Sequence, residues 1–282
     1  MITLRPSPRM IDRVAVEAAG TRQACVVEQL PAPVEQQRYV ADELAKAARY
    51  VRALLPEPQT GRIEADWVYM PSAELGGDAF GYHWLDDDHF ALYLLDASGH
   101  GFGAALHSVS VLNVLRAQAL RNTDFHDPSA VLAALNDTFQ MKRYDNMYVT
   151  IWYGVFNVRT RRLTYATGGH PPALLVTDPA GAFQVERLRT RGLLIGGVED
   201  VTYPSASVTV PEGAALYLFS DGVYEVRQAD GTMMDLDDFE ALLIEQAAYG
   251  ADGVEQLMAH IHAILDCLTC IDDSALLRII FN

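Results

Sequence analysis

The chain is poor in cysteine, in basic residues and in long apolar runs, and each shortage removes a class of protein. There are 3 cysteines in 282 residues. Cys25 stands alone, and Cys267 and Cys270 form a single CxxC. That rules out a disulfide framework and a four-cysteine zinc site. The CxxC reads as small apolar residues closing a helix. Lys and Arg number 21 against 37 Asp and Glu, giving a formal net charge of −16. A field of that sign repels nucleic acid and anionic lipid, and no basic patch offsets it. No apolar run reaches the ~18 residues of a membrane span. Residues 1–20 lack the apolar centre of a secretory signal. These absences lead to the expectation of a soluble, cytoplasmic protein with neither nucleic acid nor membrane as partner. An acidic chain that handles an anionic substrate must also bring a cation to its site.

Half of the residues are hydrophobic, enough for a sizeable core. Residues 1–33 show no strong period and read as a lead-in, poorly structured or a short helix and loop. Residues 34–55 are dense in helix formers, with Val40, Leu44, Ala47, Val51 and Leu54 spaced 4, 3, 4, 3. This seam suits a helix laid on its own domain or a homodimer helix, and Pro56 and Pro58 end it. Residues 34–58 are therefore expected to be a helical linker. Because residues 1–33 are too short for a sensory domain, input is expected from a separate sensor or regulator acting on this helix. From residue 59 the pattern changes to "RIEADWVYMP", "AFGYHWL" and "HFALYLLD", which read as strands, with Asp86–Asp88 as a turn. Helices follow at 101–121 and 129–143. A block of hairpin-linked strands comes next, then helices at 236–248 and 252–265 and the closing strand "SALLRIIF". The expected fold class is α+β: two mostly antiparallel sheets packed on each other, with helices outside both.

Certain acids share one local form. Asp78 follows Gly76 and Gly77, and Asp96 ends an apolar strand. Asp221 ends another strand and precedes Gly222, while Asp272 and Asp273 stand just before "SALLRIIF". Taken singly, an aspartate at a strand end is a turn former or a helix N-cap, and Asp86, Asp87, Asp88 and Asp230 are left with that reading. Taken together, these acids can converge at one rim of a sandwich, and that is the expectation. Carboxylates brought within ~5 Å raise one another's pKa and oppose folding unless a cation joins them. Oxygen ligands suit Mg²⁺ or Mn²⁺ better than zinc, and glycine neighbours let backbone carbonyls approach the ion. Two ions about 3.5–4 Å apart can activate a bridging water and clamp a phosphoryl group.

The ordered series "ELGGD", "DASGHG", "LTYATGGHPPALL", "RGLLIG", "LFSDGVYE" and "DDSALL" resembles the motifs of SpoIIE-like serine phosphatases. These form a bacterial branch of the PPM (protein phosphatase 2C-like) superfamily. The resemblance spans residues 64–281, and the preceding helix is similar to the linker of that branch. It implies a four-layer αββα sandwich over residues 59–282 holding two Mn²⁺ or Mg²⁺ ions. Asp78, Asp96 and Asp221 match metal ligands, and Ala97 matches a carbonyl ligand. Of the last motif, Asp272 is the expected ligand, with Asp273 second. Gly76, Gly77, Gly99, His100, Gly169, His170 and Gly222 form the expected site loops. His100 is read as opening a helix and His170 as shaping its loop.

The implied reaction is hydrolysis of a phosphoserine or phosphothreonine monoester by water activated between the ions, without a phosphoenzyme. The implied partner is a phosphorylated regulatory protein of the anti-sigma-factor antagonist type. The competing reading is a signalling module of the same fold that binds a partner without turnover. Two departures bear on substrate fit. Ala79-Phe80-Gly81 stands where the family has aromatic-aromatic-Asp, and Ala275 where threonine is usual.

Overall fold

The computed structural model describes residues 11–18, 21–28, 34–179, 182–227, 231–248, 254–264 and 272–282. Cys267 and Cys270 lie outside them. In chain order the elements are β1 (Ile11–Ala18), β2 (Thr21–Glu28), α1 (Val34–Arg52), β3 (Ile63–Met70), β4 (Asp78–Trp84) and β5 (His89–Ala97). Then come α2 (Phe102–Arg116), α3 (Pro128–Thr138), β6 (Val149–Asn157), β7 (Arg162–Gly168), β8 (Ala173–Thr177) and β9 (Gln184–Leu188). The last are β10 (Ser205–Thr209), β11 (Ala214–Phe219), α4 (Leu236–Ala248), α5 (Val254–Ile264) and β12 (Ser274–Phe281).

Strands β4, β5, β6 and β12 are buried at nearly every position, without polar alternation. Such strands need cover on both faces. One five-stranded sheet has the order β10-β7-β6-β5-β4, the other β3-β12-β11-β8-β9. Every pairing within them is antiparallel. The inner faces interlock through aromatic pairs, Trp67 with Phe80 at 5.1 Å and Phe156 with Phe281 at 4.4 Å between ring centroids. Helix α2 covers β4 and β5, and α3 covers β6 and β7. On the other side α5 lies on β3 and β12, and α4 on β9. This is the expected αββα arrangement.

The chain divides into two units, Met1–Lys46 and Ala47–Asn282. The first contains an antiparallel hairpin, β1 on β2, with Ile11 opposite Glu28 and Ala18 opposite Thr21. It corrects the expectation of a poorly structured or helical lead-in over these residues. In the second unit, Ala47, Ala48 and Val51 of α1 pack against Leu75, Ala105 and Val109. The segment after the helix, read as linker, is tied to the domain: Trp67 Nε1 donates to the Pro56 carbonyl and the Tyr82 hydroxyl to that of Glu57. The C-terminal half of the expected seam is thus occupied within the domain, while Val40 is exposed.

Helix α2 is shorter than expected because Gln118 adopts φ 49°, which ends the helical run. Helix α3 ends at Thr138, with a short 3₁₀ turn at Met141–Arg143 beyond it. Its start is set by Asp127, whose side chain accepts from Ser129 N, with Pro128 at the first helical position. Among the described residues no helix is long and apolar enough to cross a membrane.

Candidate metal centre

Asp78 opens β4 and Asp96 lies next to the end of β5, and the two are direct cross-strand partners. Like charges in that relation destabilise a sheet. Asp78 is 2% exposed, and its Oδ2 has no hydrogen-bond partner. Burial pushes its carboxyl well above the usual carboxylate range. Asp96, Asp273 and Asp221 push in the same direction, and a hydrogen bond from Ser220 offsets part of the shift. Asp96 is pushed up to about 7 by burial and by the charges of Asp221, Asp272 and Asp273. Asp221, in the 3₁₀ turn after β11, is raised by burial, Asp272 and Glu225. The acids expected from the sequence therefore do meet at one rim, where burial and neighbouring carboxylates disfavour ionisation of Asp78, Asp96 and Asp221.

The glycines beside them have steric reasons. A Cβ on Gly77 would sit 2.7 Å from the Ala97 carbonyl oxygen, and one on Gly222 would sit 2.1 Å from that of Asp273. A Cβ on Gly76 would meet the Asp273 carboxylate at 2.8 Å. Only glycine permits these approaches.

The two acids of the last motif separate clearly. Asp273 is buried and its oxygens are already used. Oδ1 accepts from Ser72 N at 2.7 Å and Ser72 Oγ at 2.8 Å, and Oδ2 accepts from Gly77 N at 2.6 Å. It pins the Gly76-Gly77 loop. Asp272 is exposed, and among the described residues its carboxylate accepts only from Asp273 N, through Oδ1. Of the two acids, Asp272 is the one with oxygens left open to a further partner.

Ser72, Ser220 and Glu225 were not singled out in the sequence. Ser220 lies inside the quoted "LFSDG", and its hydroxyl also accepts from Ala275 N at 2.9 Å. His100 is exposed between Gly99 (φ 90°) and Gly101 (φ 77°), just ahead of α2. Gly169 and His170 line a cavity with Arg189 and Arg191 rather than joining the acids. The Gly81 departure has a packing reason: a Cβ there would lie 2.5 Å from the Tyr93 hydroxyl.

Asp86, His89 and His126 bring their ligand atoms within 4.8 Å of one another. They sit at the opposite end of the β4–β5 hairpin from Asp78 and Asp96. Their donors are spent on hydrogen bonds. Asn157 Oδ1 accepts from the backbone N–H of Arg159 and Thr160, so its amide nitrogen faces His89 Nε2 at 2.8 Å. The remaining proton of His89, on Nδ1, then faces Asp86 at 2.9 Å. His126 spans Asp86 and Asp124, at 2.8 Å from each. This is a clamp between the β4–β5 turn and the loop before α3. Asp86, read as a turn former, also anchors that clamp.

The family model described as Stage II sporulation protein E (SpoIIE) matches residues 86–282. Phosphoserine phosphatase RsbP of Bacillus subtilis (strain 168) is 30% identical over 188 residues, 65% of this chain and 45% of that protein. Phosphoserine phosphatase RsbU of the same organism is 28% identical over 218 residues, 76% of this chain and 63% of that protein. The chain thus spans less than two thirds of either relative's length. The SiaA-PP2C domain of Pseudomonas aeruginosa superposes with a TM-score of 0.71 at 19% identity, over 89% of this chain and 100% of that one. That likeness shows the fold.

Proposed function

The chain belongs to the SpoIIE family, and from that premise we propose that it is a metal-dependent phosphatase acting on phosphoserine or phosphothreonine of a regulatory protein. The observation that carries the reading is the Asp78–Asp96 pair, directly opposed, with Asp78 buried and one of its oxygens unpartnered and Asp96 half-buried. Such a pair is stable only protonated or joined by cations. The residues fit two Mn²⁺ or Mg²⁺ ions: the donors are carboxylates with a glycine-cleared carbonyl at Ala97, and among the described residues no cysteine or imidazole joins them. When bound, such ions supply Lewis acidity toward water and positive charge for a phosphoryl group.

The residues of the chain divide that work. Asp78, Asp96, Asp221 and Asp272 would hold the ions. Asp273 and Ser72 fix the Gly76-Gly77 loop that presents Asp78. Ser220 positions the Asp78 carboxylate and, through Ala275 N, joins β12 to the end of β11. RsbP and RsbU are named phosphoserine phosphatases. That name and the family resemblance support a phosphorylated anti-sigma-factor antagonist as the substrate type.

The test is release of phosphate from a phosphoserine protein of that type. Turnover is expected with Mn²⁺ or Mg²⁺, none after rigorous chelation, and full recovery on adding metal back. Undiminished turnover after chelation would overturn the reading. Binding of the phosphoprotein without turnover at saturating metal would establish the non-catalytic module instead.

A further inference from the structure

A second feature lies at the same end of the first sheet. Gly169 bridges Ile151 in parallel, one residue along from Thr150, the cross-strand partner of Asp96. Beside Gly169 opens a cavity of about 480 Å³ lined by His170, Arg189, Thr190, Arg191, Leu193 and Thr202 among others. His170 is 5% exposed and neither ring nitrogen has a hydrogen-bond partner. Burial holds this imidazole down at about 3, so it is neutral and presents one N–H and one lone pair. The segment carrying the arginines is fixed by Thr190, whose hydroxyl accepts from Thr167 N while its own N–H donates to Thr167 Oγ1. Arg189 and Arg191 flank Thr190, and neither has an ion-pair or hydrogen-bond partner among the described residues. The preceding Arg187, by contrast, is spent on Asp237 and Glu240.

Two guanidinium groups without a partner among the described residues, lining one cavity with a buried, unpartnered imidazole, make an anion receptor in a chain whose net charge is −16. The spare lone pair of His170 calls for a donor as well. A peptide segment with an acidic side chain offers both, a carboxylate to accept and a backbone N–H to donate. Strand β6 alone separates β7, which leads into the cavity, from β5, which carries Asp96. Two strand spacings amount to about 10 Å, or about three residues of extended peptide.

We propose that the His170–Arg189–Arg191 cavity is a docking pocket for an acidic side chain of the phosphoprotein substrate, about three residues from its phosphorylated residue. This rests on the phosphatase reading, and it names what that site selects.

The test uses the full chain with Mn²⁺ and phosphoserine peptides in which a single glutamate is moved stepwise through both flanks of an otherwise alanine background. At one register, glutamate should lower KM about tenfold with kcat unchanged, the size of a charge-assisted contact. In the Arg189→Ala/Arg191→Ala variant the difference between glutamate and alanine peptides should collapse. Both arginines are exposed, so the melting temperature should stay at the wild-type value. No glutamate preference at any register, or a preference that survives in the variant, overturns the pocket. So does a variant in which only inhibition by inorganic phosphate changes.

Wild-type turnover of p-nitrophenyl phosphate separates the two claims, since its absence strikes the phosphatase reading alone. In that case fluorescence anisotropy of the labelled glutamate peptide decides the pocket. Binding lost in the arginine variant supports it, and equal binding overturns it.

Discussion

Asp78 and Asp96 face each other across the β4–β5 ladder, both held above the usual carboxylate range by burial and by neighbouring carboxylates. Nothing in the fold needs two acids there. Apolar strands flank them, and alanine or threonine would complete the ladder at lower electrostatic cost. The pair makes sense as a receptor for positive charge, and that makes stability, pH and metal interdependent.

Asp96 is held at about 7, against 3.8 for an ordinary aspartate. The folded metal-free chain therefore binds this proton more tightly than the unfolded chain. Its contribution to stability is fully present below the unfolded value and is lost as pH rises through the folded one. Chelated wild type should lose melting temperature between about pH 4 and pH 7 relative to Asp96→Asn. Mn²⁺ should reverse the loss at the upper end, since metal binding needs the deprotonated carboxylates. Differential scanning calorimetry across that range checks both signs.

Asp272 and Asp273 should respond oppositely to the same change. Asp273→Ala leaves the half-buried Ser72 donors and the buried Gly77 N–H unmatched and should cost about 2–4 kcal/mol of stability. Asp272→Ala removes an exposed group and should leave the melting temperature almost unchanged while weakening Mn²⁺ binding in calorimetric titration. Equal destabilisation by the two substitutions would contradict the assignment of Asp272 as the open ligand.

The clamp at the other end of the hairpin has its own pH signature. Partial burial pulls His126 down, but its hydrogen bonds to Asp124 and Asp86 outweigh this and raise it. Asp124 is lowered by the backbone N–H and the ring of His126. Asp86 is lowered by the backbone N–H of Asp88 and by the rings of His89 and His126. The His126 contribution is present below about pH 6.5 and is lost as pH rises through its raised value. The aspartate contributions are present above about pH 4 and are lost as pH falls. His126→Gln should lower the melting temperature between those limits, where the whole clamp contributes, and flatten its fall on either side, measured with metal bound, without altering turnover.

Helix α1 carries two different halves. Val51 is buried against Leu75 and Ala105, so Val51→Glu should lower the melting temperature by an amount matching about 2–4 kcal/mol. Leu44→Glu lies outside that packing. It should leave the melting temperature of the domain unchanged and convert a homodimer to a monomer in light scattering. A wild type already monomeric at high concentration would remove the dimer role of the seam.

The sandwich was legible because its strands are long apolar runs bounded by glycine, proline and acids, and the closing strand "SALLRIIF" could hardly be anything else. The rim acids were legible for the same reason: a charged residue at the end of a buried run is conspicuous. What stayed hidden depends on distant pairing. Ser72 and Asp273, hydrogen-bonded in space, are separated by 201 positions, and Asp86 and His126 by 40. No local pattern encodes either contact. The hairpin at residues 11–28 was missed although Val14, Val16, Val26 and Val27 favour strands, because the interspersed alanines and charges blur the alternation. His170 reads in the sequence as a loop-shaping residue, and no local pattern encodes the cavity it shares with Arg189 and Arg191.

The most direct test compares Asp96→Asn with Asp86→Asn, two aspartates at opposite ends of one hairpin, by turnover of a phosphoserine protein at saturating Mn²⁺. Asp96→Asn should fold, melt at or above the metal-free wild type, and lose on the order of 10²–10⁴ in rate, the size expected for removing a charge that holds the metal centre. Asp86→Asn should turn over at close to the wild-type rate. Equal activity in the two variants would mean that the acids at the β4–β5 rim are turn residues, and the metal-centre account would be wrong.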